Sequence, residues 1–275
     1  MAFIFLLDMV AFAFVARMIL NATYLDESDK LEFRNPYIGL DELYSSRKVK
    51  PSFYKRLTNE PRFATQISAA EPYKIFPIDL HRWLSDFGFV SPSDRRLKVS
   101  STVRPDILAF YLRISSQSPF FSQVNTIAQF HVLDYGMERC ALAVRLPKRG
   151  EILPHLYSLP ETDNAVHLDI CELSAKRPLK DGEISWATRP PCVTGTLQVL
   201  EARVGWEVEL EHFDCKSGSF LAYHISCSGG TTSSCNIDVW SNQNATWGSS
   251  FLEHFNSTLT VTRSSGFYIN QYQTL

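Results

Sequence analysis

The second half of the chain alternates between apolar and polar positions with a period of two. Such alternation places successive side chains on opposite faces of an extended strand. Seven or eight short runs of this kind, separated by turn residues, predict an antiparallel β-sandwich over residues 97–275. The runs cover residues 127–133, 141–146, 166–170, 197–199, 206–211, 221–225 and 237–239.

One run, residues 206–211, has the clearest alternation in the chain. Three apolar residues alternate with three acidic ones, in the order Trp206, Glu207, Val208, Glu209, Leu210, Glu211. An antiparallel sheet packs one face on the core and turns the other to water. We therefore expect the face that begins with Trp206 to be buried and the carboxylates to be solvated.

The first twenty residues are apolar except for Asp8 and Arg17. About twenty apolar residues are enough to span a bilayer, although a charge at the centre of the span costs about 2.5 to 3.5 kcal/mol. Residues 1–22 are accordingly predicted to form a membrane-anchor or secretory-signal helix. A buried core helix is the alternative.

Residues 23–96 contain prolines at a density that interrupts any long helix or central strand. We expect an irregular region that wraps the sandwich and carries short helical turns at residues 40–44 and 80–84. The prolines are Pro36, Pro51, Pro61, Pro72, Pro77 and Pro92.

All six cysteines lie in the strand-rich part of the chain, without CxxC pairs or other zinc-ligand spacing. We therefore predict disulfides and no metal site. Cys227 and Cys235 bracket a turn-rich loop, which predicts a bond between them. Three pairings of the other four cysteines stay open. The alternative to disulfides is a cytosolic protein with six reduced thiols. The remaining four are Cys140, Cys171, Cys192 and Cys215.

Three sequons, at Asn21, Asn244 and Asn256, are candidate N-glycosylation sites. Together with the disulfides and the apolar start, they predict a secretory-pathway protein. We expect a single-pass membrane protein with its C-terminal domain luminal or extracellular, or a secreted one. The fold class is thus a mainly β, disulfide-stapled sandwich with an N-terminal helix and a proline-rich wrap.

Composition narrows the possible partners. The 27 Lys and Arg residues are balanced by 29 Asp and Glu residues, for a net charge of −2. A protein without a basic field is a poor nucleic-acid binder, so no such partner is predicted. The sequence lacks GxSxG, HExxH, GxxxxGK[ST] and GxGxxG motifs. We predict no cofactor and assign no catalytic residue.

Two weaker signals concern ligand chemistry. His167 with Asp169, and His212 with Asp214, each place an imidazole and a carboxylate on one face of a strand. We expect surface hydrogen bonding from them, with a metal or acid–base pair as the alternative.

Exposed aromatic residues are the second signal, because they can serve as ligand platforms. Trp240 and Trp247 are the candidates for a glycan platform, although tryptophans of a sandwich often belong to its core.

Five short motifs are distributed over most of the chain. They occupy residues 35–44 (NPYIGLDELY), 90–92 (VSP), 130–140 (FHVLDYGMERC), 185–190 (SWATRP) and 238–247 (DVWSNQNATW). In them the sequence resembles a group of fungal proteins labelled "ubiquitin 3 binding protein, But-type C-terminal domain". The resemblance implies a cytosolic tail, a transmembrane helix and a β-rich exterior domain, but no activity. The label itself implies binding to a ubiquitin-like activating enzyme in the cytosol.

Two segments, residues 103–123 and 249–266, depart from the pattern of that group as insertions. We hypothesise that both are translated retained introns, which spliced transcript reads across the junctions would test. The alternative is two ordinary surface insertions, which loops tolerate at little cost.

The functional expectation is a non-enzymatic binding or structural module for a cell-wall glycan or a protein ligand. One alternative is a carbohydrate-active hydrolase, which requires two carboxylates about 5 to 9.5 Å apart in an open groove. A further alternative is the cytosolic adaptor that the family label implies.

Overall fold

The structure is a computed structural model that describes most of the β-rich part of the chain. Asn21, Trp247, Asn244 and Asn256 lie outside the described residues, as do residues 80–84, 104–120 and 249–264. The described residues are 9–18, 37–46, 49–50, 53–77, 95–103, 121–153, 156–161, 164–180, 182–228, 235–241 and 265–274.

The chain divides into two units, Met1–Arg34 and Asn35–Leu275. In the first, residues 9–18 form a helix (α1), and Phe12 and Phe14 are exposed along it. Among the described helices, none has the length and apolar character needed to cross a membrane.

The second unit is mainly antiparallel β, as the alternating runs predict. It contains one short helix, α2 (Leu40–Ser45), and twelve strands within the described ranges. The strands are β1 (Leu57–Asn59), β2 (Phe63–Ser68), β3 (Arg96–Val103), β4 (Phe121–His131), β5 (Arg139–Arg145), β6 (Ala165–Glu172), β7 (Gln198–Arg203), β8 (Glu207–Glu209), β9 (Phe213–Asp214), β10 (Phe220–Cys227), β11 (Asn236–Trp240) and β12 (Gly266–Tyr272).

These strands form two sheets. Sheet A has the order β1-β12-β5-β8, with β9 also paired to β5. Sheet B has the order β11-β3-β4-β10-β6-β7, with β2 also paired to β4. Strands that are distant in sequence are therefore neighbours, and β12 lies between β1 and β5.

The main core is apolar and lies between the two sheets. Phe130 of β4 and Tyr223 of β10 meet Phe267 of β12, with ring centroids 5.5 and 6.1 Å apart. Aliphatic side chains such as Leu168 and Ile269 complete this layer and are fully buried. Two sheets that share one apolar layer are the arrangement of a β-sandwich.

The outer face of sheet B is also covered, by the connection between β6 and β7. Ile127 packs there against Leu173 and Ile184. The buried amide of Gln129 donates to the carbonyl of Arg177 at 2.7 Å and accepts from the N–H of Leu179 at 2.8 Å. These bonds satisfy a polar side chain that burial would otherwise penalise.

All six cysteines are bonded. Cys227 is joined to Cys235, the pair that the spacing predicts. The structure also selects one of the three open pairings for the other four, namely Cys140–Cys215 and Cys171–Cys192. Three disulfides are typical of proteins that fold in an oxidising compartment.

The structure adds strands that the sequence pattern missed. β1 and β2 lie in residues 23–96, which were predicted to be irregular, and pair with β12 and β4. β4 begins at Phe121, six residues before the predicted run, and its first residues pair with β3. The end of the segment 103–123 therefore belongs to the sheet.

One expectation for the run 206–211 is wrong. Trp206, predicted to be buried, has 69 % of its surface exposed, because it lies beside the Gly205 turn and before the start of β8. Val208 and Leu210 pack against the main core, as the alternation predicts. In β7 the buried side chains are Leu200 and Ala202, whereas Leu197 and Val199 are exposed. Alternation alone does not specify which face of such a run is buried.

Candidate functional site

An open groove lies between β7 and β8, which are edge strands of sheet B and sheet A. Its volume of about 460 Å³ is within the range of small-molecule sites. Val199, Glu201 and Arg203 line it from β7. The other side is formed by Trp206 and by β8.

Trp206 is the exposed tryptophan of the groove, and the turn before it fixes its position. Gly205 has a φ of 82°, which favours glycine, and its N–H donates to the carbonyl of Leu146 at 3.0 Å. A Cβ at Gly205 would lie 2.8 Å from Cγ of Lys148, so this turn is closely packed. The indole is thereby presented to solvent by a turn with defined backbone contacts.

The rim of the groove is charged. The Nε of Arg203 donates to the Glu201 carboxylate at 3.0 Å, and both side chains are largely exposed. Such an exposed pair contributes little to folding. Its two groups can instead form charge-assisted hydrogen bonds with the hydroxyl groups of a ligand.

A second polar cluster lies on the outer face of sheet A, and two of its carboxylates also line the groove. Glu207 and Glu209 share the Nη1 of Arg56, at 2.8 and 3.3 Å from their Oε1 atoms. They also share Nδ2 of Asn270, at 2.9 and 2.5 Å. Tyr272 donates its hydroxyl to the Glu209 carboxylate, 2.8 Å from Oε2. We call these five residues the carboxylate cluster.

The middle strand of sheet A explains how the cluster forms. β5 separates β8 from β12, and it presents the small residues Ala141 and Ala143 between the two strands. Ala143 pairs with Glu209 on one side and with Tyr268 on the other. Because these methyl groups are short, side chains from β8 reach across to β12.

The cluster changes the acidity of its members. Burial and the Glu209 carboxylate raise the pKa of the Tyr272 hydroxyl, so Tyr272 remains a donor at neutral pH. Burial acts to lower the pKa of Arg56, but Glu207 and Tyr272 hold it above its ordinary value. Two carboxylates bridged by a guanidinium and an amide, one of which also accepts from a phenol, could serve as an acid–base pair or bind a polar ligand.

The histidines of the two predicted pairs lie in different surroundings. The Nε2 of His212 is 3.9 Å from Oε2 of Glu209, and its ring lies 4.7 Å from that of Tyr272. Asp214 is exposed in β9. His167 and Asp169 are half-buried on the outer face of β6, and within the described part of the chain neither pair forms a metal group.

Trp240, one of the two predicted platform residues, is half-buried. The guanidinium of Arg96 lies over its ring, 4.9 Å from the centroid. Arg96 also donates from Nε to Oδ1 of Asp238 at 2.6 Å. A guanidinium from β3 thus lies over the Trp240 ring, and Trp206 presents more open aromatic surface.

The sequence did not indicate one further cluster. Sulfur atoms of Cys171 and Cys192 and a ring nitrogen of His224 lie within 4.8 Å of one another. Burial, reinforced by the Arg189 guanidinium, lowers the pKa of His224 to about 4. No spacing in the sequence reveals this cluster, because the strand pairing of β6 with β10 brings its residues together.

Comparisons with known protein families and with curated proteins give no match for this chain. The resemblance to the fungal group therefore stays a prediction.

Proposed function

We propose that this chain is a non-enzymatic binding module of the secretory pathway. It binds a cell-surface glycan in the groove between β7 and β8. The exposed face of Trp206 in a groove of ligand size carries the proposal. An indole ring stacks on the C–H face of a sugar, and its N–H remains available for a hydrogen bond. Glu201 and Arg203 supply charged partners for sugar hydroxyls.

The proposed location rests on the disulfides and on the apolar N-terminal segment. Residues 1–22 anchor the chain in a membrane, with the sandwich luminal or extracellular, or direct its secretion. The apolar side chains of α1 are exposed, which supports the placement of this helix in an apolar environment. Asn21, Asn244 and Asn256 are the glycan acceptors in this proposal.

The location is tested by titrating thiols with and without reductant and by treating the protein with a glycosidase. Thiols that appear only after reduction, together with a mobility shift, are expected. Six free thiols and an unchanged mobility would favour the cytosolic adaptor instead.

Ligand binding is tested with the full-length oxidised protein on insoluble β-glucan, chitin and mannan. We expect binding to at least one polysaccharide, weakened about tenfold or more in Trp206→Ala, which corresponds to about 1.4 kcal/mol. Trp206→Phe should retain part of the affinity. Tyr73→Ala, which removes an exposed aromatic residue outside the groove, is the matched control.

Two outcomes contradict the glycan proposal. One is equal binding by Trp206→Ala and the parent protein. The other is a parent protein that binds none of the three polysaccharides. That result would favour a protein ligand.

The carboxylate cluster favours a second candidate, a carbohydrate-active hydrolase. Glu207 and Glu209 line the groove and are bridged by Arg56 and Asn270. A hydrolase would release reducing ends from the polysaccharide that it binds, and Glu207→Gln or Glu209→Gln would stop the release. A binding module would leave the polysaccharide intact.

A further inference from the structure

Adjacent strands of sheet B place three polar or sulfur-containing side chains together on its outer face. His224 of β10 is the cross-strand partner of Cys171 in β6, and β4 with Asn125 lies on the other side of β10. Nδ1 of His224 is 3.9 Å from Sγ of Cys171. Nε2 is 3.1 Å from Nδ2 of Asn125. Cys192 is joined to Cys171 by its disulfide.

The donor atoms are of the types that bind a metal ion, and the two sulfurs must separate from their disulfide before both can bind it. Sγ of Cys171, Sγ of Cys192 and a ring nitrogen of His224 lie within 4.8 Å of one another. Thiolate sulfur and imidazole nitrogen are the ligands that zinc prefers, at about 2.3 and 2.0 to 2.1 Å. In the oxidised protein the two sulfurs are bonded to each other and cannot act as thiolates.

We propose that reduction of the Cys171–Cys192 disulfide creates a Cys₂His site for a divalent cation of the zinc type. His224 is the third protein ligand, and a solvent molecule completes the tetrahedron. In the described part of the chain these are the only His, Cys, Asp and Glu side chains that form such a group. The proposal is independent of glycan binding.

The reaction needs a thiol reductant and a cation from solution. Two reductant thiols are oxidised to a disulfide with each other. The two electrons and two protons that they give up reduce the bond between Cys171 and Cys192 to two free thiols. The cation then displaces both thiol protons, while His224 contributes the lone pair of Nδ1. Cation binding therefore releases two protons and strengthens as the pH rises.

Asn125 supplies an independent observation. Its side chain is buried, and among the described residues its Oδ1 has no hydrogen-bond partner. The two ends of an amide have the same shape, so exchanging them brings Oδ1 to Nε2 of His224. The imidazole then donates from Nε2–H to Asn125, which leaves the Nδ1 lone pair directed at Cys171. An outer partner of this kind orients most metal-binding histidines.

The site is accessible from one side. Cys192 is exposed, whereas Cys171 and His224 are buried. A reductant can therefore attack at Cys192, and the cation can enter at the same point. The other two disulfides are buried and are not part of any such group in the described ranges, so they serve as internal controls.

The test uses the full chain in two forms, oxidised and reduced with dithiothreitol, which is removed under anaerobic conditions before Co²⁺ is titrated. We expect the reduced form to bind one Co²⁺ with a sulfur-to-cobalt charge-transfer band and the visible spectrum of a tetrahedral ion. Zn²⁺ should displace the Co²⁺ and abolish the spectrum. The oxidised form should bind none.

Variants identify the ligands. Asn125→Ala should weaken binding by about 10- to 100-fold, and His224→Gln by more than that, since it removes a ligand rather than its outer partner. A Cys227→Ser, Cys235→Ser double variant removes two thiols elsewhere and should bind as the parent does. Far-UV circular dichroism reports whether each reduced protein keeps its β-structure.

Three results would overturn the proposal. One is a folded, reduced protein that binds no Co²⁺. Another is equal binding by His224→Gln and the parent. The third is loss of β-structure on reduction that Co²⁺ does not restore, because binding would then involve thiols of an unfolded chain.

Discussion

Phe130 and Phe267 meet edge to face across the sandwich, with their ring centroids 5.5 Å apart. Phe130 belongs to β4 of sheet B, and Phe267 belongs to β12 of sheet A. Both side chains are buried. The contact shows that β12, which begins at the last residue of the segment 249–266, is part of the main core.

Truncation of Phe267 should therefore destabilise the sandwich strongly. Phe267→Ala removes contacts with Phe130 and Tyr223, and we expect a loss of about 3 to 5 kcal/mol in the free energy of unfolding. Urea denaturation followed by circular dichroism measures it. Phe53→Ala, at an exposed position, is the matched control and should change stability by less than about 0.5 kcal/mol.

The alternating runs predicted the sandwich because each long strand packs one face on a common core. Short strands gave no such signal. Leu57–Asn59 forms β1 only because Ile269–Gln271, more than two hundred residues later, provides its hydrogen-bond partners. Three residues bounded by irregular chain have no periodicity to detect, so pairing of this kind is invisible in sequence.

The candidate site was harder to predict than the fold. The 206–211 run was correctly assigned as strand-like, but the turn at Gly205 leaves Trp206 exposed at the groove. Cys227 and Cys235 could be paired because only a short, turn-rich sequence separates them. The position of His224 beside Cys171 depends on the register between β10 and β6, which no local pattern specifies.

The disulfides should contribute unequally to stability. Cys140–Cys215 closes a loop with a sequence separation of 75, whereas Cys227–Cys235 has a separation of 8. In the chain-entropy account, the longer loop restricts the unfolded state more, by about 2 kcal/mol at 25 °C.

We therefore expect the Cys140→Ala, Cys215→Ala double variant to be about 2 kcal/mol less stable than the Cys227→Ala, Cys235→Ala double variant. The comparison is matched because all four cysteines are buried. Equal stabilities of the two variants in urea would contradict the expectation. Peptide mapping without reduction checks the three pairings independently.

Two glycines with positive φ should differ in their tolerance of a side chain. Gly195 and Gly205 have φ values of 83° and 82°. A Cβ at Gly195 meets nothing within 4 Å, whereas one at Gly205 would lie 2.8 Å from Cγ of Lys148.

Gly195→Ala should therefore cost only the backbone strain, about 1 to 2 kcal/mol. Gly205→Ala should cost about 1 kcal/mol more, because Lys148 must move, and it should also shift the fluorescence of the neighbouring Trp206. Thermal unfolding gives the two stabilities. A Gly205→Ala protein as stable as Gly195→Ala would show that the turn is loosely packed.

Acid should destabilise the protein through His224. Burial and the Arg189 guanidinium lower the pKa of the folded imidazole to about 4, while the unfolded chain retains the ordinary value of 6.5. Between these values the unfolded state binds more protons, so stability falls as the pH decreases from 6.5 to 4 and levels off below. The expected loss is about 3 kcal/mol.

His224→Gln should be less stable at pH 7 and should lack this component of the pH dependence, whereas His167→Gln, at a half-buried position, should keep it. Urea denaturation at several pH values measures the difference, and a parent protein with the same pH profile as His224→Gln would contradict the assignment.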